Sequence, residues 1–346
     1  MKNLRHLNIA EIAALIAQWG EKPFRAKQIY EWIWKHGAAS IDEMLNLSKD
    51  LREKLKQEFT LNAVRIHHTQ LSEDSTIKNR FVLHDGHFVE GVLIPTSTRM
   101  TACVSSQVGC SLTCKFCATG YMERKRNIEF DEIYDQVFLL NKQAIEHYGK
   151  KLSNIVYMGM GEPLLNYQHV LQSIDKIVSP DGLGMSPTRI TVSTAGISKM
   201  IKKLADDAVK FNLALSLHAA NDKKRNEIMP IKETNNLEVL EEALNYYFKK
   251  TKNAITFEYI LFAHFNDNIE DADELIKICR KIPSKVNIIE YNPIELAKFA
   301  KPSEEKANAV MEYLERNRVN ARLRRSRGKD IDAACGQLAN INHPTI

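Results

Sequence analysis

The sequence predicts an α/β fold, a partial (β/α)6 barrel that follows a small N-terminal helical domain and a β-hairpin extension. Three observations support this fold. Apolar residues recur at helical spacing in three segments between residues 8 and 58. An Asp85-Gly86 pair then separates two alternating runs, as in a β-hairpin. From residue 130 onward helical and strand patterns alternate, which is typical of a parallel sheet covered by helices.

The N-terminal helical domain is predicted over residues 1–60. Its first helix covers 8–19 and ends at Gly20, and four apolar residues share one face: Ile9, Ile12, Ile16 and Trp19. A second helix begins at Phe24 and ends at Gly37, and a third runs from about Lys49 to Glu58. Between them, Ser40 and Glu43 have the spacing of a capping box.

The β-hairpin extension is predicted over residues 61–95. In its second strand Glu90 shares one face with Phe88, Val92 and Ile94. A carboxylate on an apolar face is costly unless it has a partner or a function. The alternative is an edge-strand glutamate that faces solvent.

The barrel is predicted over residues 96–318, and a C-terminal strand and cysteine loop over 319–346. Helices are expected at 130–148, 166–177, 196–206, 236–249, 268–281 and 303–317, and strands at 154–158, 189–192, 212–216, 255–260, 285–289 and 319–323. Polar or glycine-rich segments follow four of these strands: 159–163, 193–196, 216–218 and 292–293. Chemistry in parallel barrels lies at the C-terminal ends of the strands, so we expect a site there.

Three cysteines after the first barrel strand have a C-x3-C-x2-C spacing: Cys110, Cys114 and Cys117. This spacing suits an iron–sulfur cluster with three thiolate ligands and one open iron. A zinc site that takes Cys103 as its fourth ligand is the alternative, although no second cysteine pair completes a typical zinc set. Cys279 lies on an amphipathic helix and is expected to be a core residue.

Composition places few limits on partners. The net charge is +5 with a pI near 8.7, which does not establish nucleic-acid binding by itself. Basic runs at 123–126 and 322–329 are either solvated surface or RNA contacts, and the same holds for Arg25, Lys27 and Lys35. The sequence contains no apolar run of eighteen residues and no signal-peptide pattern, and its cysteines cluster in one loop, so we expect a cytoplasmic protein without membrane contact.

The cysteine triplet, with Phe116 before its last cysteine, resembles the signature of radical S-adenosylmethionine (SAM) enzymes. Four longer blocks resemble the RlmN family of ribosomal and transfer RNA adenine-carbon-2 methyltransferases: Cys103 to Cys110, Gly159 to Asn166, Ser216 to His218 and Asp330 to Leu338. The resemblance covers the whole chain. The position of Cys335, between small residues, would by itself suit either an accessible thiol or a small core residue.

The resemblance implies a role for each site residue. Cys110, Cys114 and Cys117 would hold a 4Fe–4S cluster. The SAM contacts would be Gly161, Glu162, Ser193, Ser216, Leu217, His218 and Asn292. Cys335 would be methylated by one SAM, and a second SAM would supply the radical that activates this methyl group. Cys103 would then form a transient disulfide with Cys335 to release the carbon to the base, and Glu90 would act as the general base.

The same resemblance implies the partners. The substrates would be 23S rRNA and tRNA, with the target adenine single-stranded or extruded, and the chain would need an electron donor such as a flavodoxin or ferredoxin. A monomer is expected, and Arg322, Arg324 and Arg325 are candidate RNA contacts. Three alternatives remain: a Cfr-type enzyme that methylates carbon 8, a non-catalytic RNA-binding protein with a metal cluster, and a radical SAM enzyme that acts on protein.

Overall fold

The computed structural model describes residues 1–231 and 236–340. Residues 232–235 of the predicted barrel and the last six residues of the predicted 319–346 segment lie outside this range.

The N-terminal domain has the three predicted helices. Short strands β1 (Lys2–Asn3) and β2 (Phe59–Thr60) pair in parallel and flank helices α1 (Ile9–Gln18), α2 (Phe24–Trp34) and α3 (Lys49–Glu58). Ile12 and Ile16 are fully buried, but Ile9, the first residue of α1, is 43% exposed.

The predicted capping box at Ser40 is not formed. Residues Ile41–Glu43 make a single 3-10 turn, and the Ser40 hydroxyl donates to the Glu43 carboxylate at 3.2 Å instead of capping a backbone N–H. The third helix begins at Lys49, as predicted, and its N-cap is Ser48, whose side chain accepts the Leu51 N–H.

A ten-stranded sheet carries the rest of the fold, in the order β14-β13-β12-β11-β10-β9-β6-β5-β4-β3. The antiparallel part consists of β3 (Arg65–Leu71), β4 (Ile77–Val82) and β5 (Phe88–Pro95), which is also antiparallel to β6 (Met100–Cys103). The Asp85-Gly86 turn joins β4 to β5, as predicted. The hairpin extension is therefore continuous with the barrel sheet.

The other seven strands of this sheet are parallel to one another, and β6 is the first of them in the chain. Six of them follow it: β9 (Asn154–Tyr157), β10 (Ile190–Thr194), β11 (Asn212–Ser216), β12 (Ile255–Leu261), β13 (Ser284–Glu290) and β14 (Ala321–Arg324). A separate two-stranded ribbon, β7 (Gln107–Val108) with β8 (Arg126–Asn127), brackets the cysteine loop.

Helices connect the parallel strands, as the alternation predicted. They are α4 (Phe130–Tyr148), α5 (Tyr167–Val178), α6 (Ser198–Asp206), α7 (Asp222–Ile228), α8 (Leu237–Thr251), α9 (Ile269–Lys281) and α10 (Glu304–Arg316). Six strand–helix connections followed by β14 confirm the partial (β/α)6 barrel. The short helix α7 was not predicted, because its seven residues carry too few apolar positions to show a periodic face.

Buried charges join the N-terminal domain to the barrel. Arg5 is 2% exposed and makes a bidentate ion pair with Asp135 of α4, and its Nε lies 3.8 Å from Asp131. His6 lies 3.3 Å from Glu129 and 3.5 Å from Asp131. These contacts hold the N-terminal domain on the helix that follows the cysteine loop.

Candidate functional site

The cysteine loop follows β6 and is shaped by its own backbone. Gly109 has φ +75°, and a Cβ added there would lie 2.2 Å from the carbonyl oxygen of Glu123, so only glycine lets the two arms of the loop approach so closely. The N–H of Cys117 donates to the Cys114 carbonyl at 3.2 Å, and the N–H of Lys115 donates to the Ile228 carbonyl of α7 at 2.9 Å. The loop is thereby fastened to the end of α7.

Cys110, Cys114 and Cys117 line one cavity of about 150 Å³ at the C-terminal ends of the barrel strands. All three are free thiols. Burial raises the pKa of Cys110 to about 11 and also raises the pKa of Cys114 and of Cys117. The thiols are therefore protonated at neutral pH until a metal displaces the protons.

The spacing of these sulfurs distinguishes a cluster from a single ion. The three sulfur atoms are not all within 4.8 Å of one another, judged on the residues that the structure describes. Sulfurs bound to one tetrahedral zinc at 2.3 Å would lie roughly 3.8 Å apart. A shared cavity with wider spacing fits a cluster in which each cysteine binds a different iron. The residues present therefore fit an iron–sulfur cluster, and they do not fit a single zinc ion as placed.

Most of the predicted SAM contacts line the same cavity. They are Gly161, Glu162, Ser193, Ser216 and His218. The Ser193 and Ser216 hydroxyl oxygens lie 3.5 Å apart on neighbouring strands, because the parallel register of β10 and β11 aligns their C-terminal ends. Tertiary structure thus brings together segments that are separate in the sequence.

Glu162 is 3% exposed, and its carboxylate accepts hydrogen bonds from backbone amides. The N–H groups of Ala195 and Leu164 donate to it at 2.7 and 3.0 Å. Burial outweighs these bonds and raises the pKa of Glu162. This carboxylate therefore links the segment after β9 to the segment after β10 on the cavity wall.

His218 is neutral in this site. Its φ is +56°, its Nδ1 accepts from the N–H of Ile260 at 3.1 Å, and its ring packs edge-on against Phe116 at 4.8 Å. Burial lowers the pKa of His218 to about 3. At neutral pH the ring therefore presents an uncharged surface to the cavity.

Two predicted SAM contacts lie outside the cavity lining. Leu217 is 1% exposed and packs in the core, so only its backbone is available to a ligand. Asn292 is 4% exposed, and its Nδ2 donates to the Cys335 carbonyl at 3.3 Å. Its Oδ1 is buried and has no partner among the described residues.

Cys103 and Cys335 meet in a second cavity of about 540 Å³, which adjoins the first inside the barrel. Cys335 lines both cavities, whereas Cys103 lines the second and is 8% exposed. Burial raises the pKa of Cys103 to about 12, with a further contribution from the neighbouring Cys335 sulfur. Neither cysteine is in a disulfide.

Sequence reasoning missed Glu258 and misplaced Arg324. Arg324 was expected at the surface, but its guanidinium points into the barrel, lines both cavities and lies 3.7 Å from Glu258. The Glu258 carboxylate also accepts from the Asn287 side chain at 2.8 Å. The signal for Glu258 was present, because it is a lone carboxylate in the apolar strand 255–261, as Glu90 is in β5. Arg322 and Arg325 are exposed, as expected.

Glu90 is buried but does not line either cavity within the described part of the chain. Its carboxylate lies 3.7 Å from Lys78 Nζ and accepts from the Ala339 N–H at 2.9 Å. The expected edge-strand alternative is wrong, because β5 lies between β4 and β6. Glu90 therefore anchors the segment that carries Cys335 in this state.

Two family models match this chain. The family model for the ribosomal RNA large subunit methyltransferase N-terminal domain matches residues 2–61, and the radical SAM superfamily model matches residues 104–279.

No described helix is long and apolar enough to cross a membrane.

Full-length relatives are similar throughout. The protein named "Probable dual-specificity RNA methyltransferase RlmN" of Cytophaga hutchinsonii is 58% identical over 98% of this chain and 93% of its own length. Its namesake in Flavobacterium psychrophilum is 53% identical over 98% of both chains. The crystal structure of a radical SAM methyltransferase from Sphaerobacter thermophilus superposes with a TM-score of 0.92 and 37% identity, over 98% of this chain and 99% of that one.

Proposed function

The chain belongs to the RlmN family of radical SAM RNA methyltransferases, and from this premise we propose that it methylates carbon 2 of an adenine in 23S rRNA and in tRNA. The observation that carries the proposal is the position of Cys335. This residue lines both the cavity that holds the three-cysteine loop and the cavity that holds Cys103. A methyl group on its sulfur would lie between the site of radical generation and the second thiol.

A 4Fe–4S cluster on Cys110, Cys114 and Cys117, with bound SAM, supplies the one-electron chemistry that activates a methyl group. Such chemistry is needed because carbon 2 of adenine is electron-poor and does not attack a methyl sulfonium. We propose two SAM molecules per turnover, one that methylates Cys335 and one that is cleaved. The residues that line the cavity wall, Glu162, Ser193 and Ser216 among them, would position SAM.

The two thiols then divide the transfer between them. Cys335 would carry the carbon to the base, where a bond to carbon 2 forms, and the radical adduct would give up the carbon-2 proton and return one electron to the redox chain that supplied it. Cys103 would then attack the Cys335 sulfur, so that a disulfide forms as the carbon–sulfur bond breaks. The electron pair of that bond would stay on the carbon, which takes up the proton of the Cys103 thiol to complete the methyl group. Both thiols line the same cavity, which supports this step. Because burial raises the pKa of Cys103 to about 12, its thiol must lose a proton as it attacks. The buried Glu90 carboxylate would accept the proton that leaves carbon 2. For this, the hydrogen bond from the Ala339 N–H to Glu90 must first break.

RNA is proposed to approach through the larger cavity. Its lining is basic, with Arg99, Arg322, Arg324, Arg325 and Arg327. Exposed arginines such as Arg322 and Arg325 suit phosphate contacts, whereas Arg324 faces the thiols. The target adenine would have to leave its stack to reach Cys335. A flavodoxin or ferredoxin as electron donor, a monomeric state and a cytoplasmic location complete the proposal.

Mass spectrometry of nucleosides tests this function directly. RNA is incubated with the reconstituted protein, SAM and a reductant, beside a Cys335→Ala control. We expect 2-methyladenosine from the wild type and none from the control. Formation of 8-methyladenosine would move the chain to the Cfr type. SAM cleavage without any methylated adenine would eliminate RNA as the substrate.

A further inference from the structure

Arg225 is a buried cation behind the wall of the three-cysteine cavity. It lies on α7 and is 1% exposed. Burial lowers its pKa to about 10, so the guanidinium is still charged at neutral pH. Its Nη2 donates to the Ala195 carbonyl, and Ala195 lines the cavity.

Arg225 makes no ion pair with a described carboxylate. Its Nε is buried without a hydrogen-bond partner among the described residues. Asp222, on the same helix, raises the pKa of Arg225 through its charge but makes no direct contact with the guanidinium. By contrast, the buried Arg5 pairs with Asp135. A buried, unpaired charge is costly, so a fold that keeps one has an anionic partner in its working state or another use for it.

The loop that carries the three cysteines packs against the end of α7, the helix that carries Arg225. Ile228, one turn after Arg225 on α7, accepts the Lys115 N–H of the cysteine loop at 2.9 Å. In its ionised form, which a bound metal would favour, the Cys114 sulfur raises the pKa of Arg225 more than the Asp222 carboxylate does. Met229, which directly follows α7, lines the cavity. The helix therefore places its cation against the loop that would hold the cluster.

We propose that Arg225 is a positioning residue that supplies a buried countercharge to the iron–sulfur cluster on Cys110, Cys114 and Cys117. The inference rests on the cluster in the proposed function. Three thiolates give the cluster net negative charge, and reduction by one electron adds to it. A fixed cation in a region of low dielectric favours the bound cluster and favours its reduced state most.

The test compares Arg225→Met, which removes the charge, with Arg225→Lys, which keeps it. Lys223→Gln is the matched control, because it removes a positive charge from an exposed position on the same helix. Cluster loss to a ferrous chelator is followed by absorbance in protein reconstituted without SAM or RNA, and the cluster midpoint potential is measured by redox titration. Urea unfolding of the cluster-free proteins supplies the structural reference.

For Arg225→Met we expect cluster loss about tenfold faster than in the wild type, the order set by Coulomb attraction across protein of intermediate dielectric. The midpoint potential should become more negative. Arg225→Lys and Lys223→Gln should both stay near the wild type. The cluster-free Arg225→Met protein should unfold at the same or a higher urea concentration, because an uncompensated charge has been removed.

Two results would overturn the inference. One is an unchanged chelation rate and potential in Arg225→Met. The other is a loss of stability of the cluster-free Arg225→Met protein that is large enough to account for the faster chelation, which would assign Arg225 a structural role. If the methionine variant does not fold, Arg225→Gln replaces it in the same comparison. Failure of the wild type to assemble any cluster would instead refute the proposed function and this inference together.

Discussion

The Asn292 side chain donates a hydrogen bond to the backbone carbonyl oxygen of Cys335 at 3.3 Å. This bond ties the C-terminal loop that carries Cys335 to the segment after β13. The Gln337 side chain makes a second tie, because its Nε2 donates to the Pro293 carbonyl at 3.1 Å. These two side chains, together with the Ala118 N–H that donates to the Gly336 carbonyl at 2.7 Å, hold the segment around Cys335, which lies outside regular secondary structure.

Asn292→Ala should loosen this loop. We expect iodoacetamide to alkylate Cys335 about threefold to tenfold faster in the cluster-free variant, since the loss of one hydrogen bond is worth about 1 kcal/mol. Peptide mass spectrometry gives the rate at each cysteine. Asn226→Ala, an exposed substitution on α7, is the control and should leave the rate unchanged. Equal rates in both variants would show that other contacts hold the loop.

Gly161→Ala should disturb SAM binding more than the fold. Gly161 has φ +95°, and a Cβ there would lie 2.4 Å from Gln107 Cβ. The Gln107 side chain accepts the Glu162 N–H at 2.9 Å, so its displacement would move Glu162. We expect SAM affinity, measured by equilibrium dialysis on reconstituted protein, to fall at least about tenfold, as a misplaced contact of about 1.4 kcal/mol predicts.

Gly149 provides the matched control for that experiment. Its φ is +62°, and a Cβ there would meet no atom within 4 Å. Gly149→Ala should therefore cost about 1 kcal/mol of unfolding free energy through left-handed backbone strain alone. SAM affinity should be unchanged. A similar loss of affinity in both variants would contradict the role of crowding at Gly161.

Arg5→Ala should destabilise the whole chain. It would leave Asp131 and Asp135, at 0% and 5% exposure, without their buried cation. We expect a loss of about 3–5 kcal/mol of unfolding free energy in urea titrations. The exposed pair Arg316–Glu312 at 3.3 Å is the comparison, and Arg316→Ala should cost less than about 1 kcal/mol. Equal effects would mean that the N-terminal domain does not depend on the buried pair.

His6 should make part of this attachment depend on pH. Hydrogen bonding to Asp131, together with the charges of Asp131 and Glu129, raises the pKa of His6 above 6.5. The stabilisation is therefore fully present below the unfolded pKa and is lost as pH rises through the folded pKa. His6→Gln should reduce unfolding free energy more at about pH 5.5 than at about pH 9, on either side of the histidine range. His147→Gln, exposed on α4, should show no such difference.

Much of the fold was predictable from local patterns. The helix over 130–148 and the strand over 212–216 have the predicted bounds, because an amphipathic helix and a buried strand each repeat their apolar residues at a characteristic period. Local patterns did not predict α7, because a seven-residue helix is too short to show a repeating apolar face. They also failed at Ser40, where a capping signal precedes only a 3-10 turn.

The sequence by itself determined the order of strands and helices, the three-cysteine loop and the family resemblance, since each depends on residues that are close in the chain. Tertiary structure alone decided that Arg324 faces Glu258 and the thiols and that Asn292 holds the Cys335 backbone. It also decided that the Ala339 N–H donates to the Glu90 carboxylate. The same holds for Arg225, whose Nε is buried without a hydrogen-bond partner among the described residues, near the loop that carries Cys110, Cys114 and Cys117. These contacts join segments far apart in the chain, and parallel strand pairing and burial, which no local pattern encodes, bring them together.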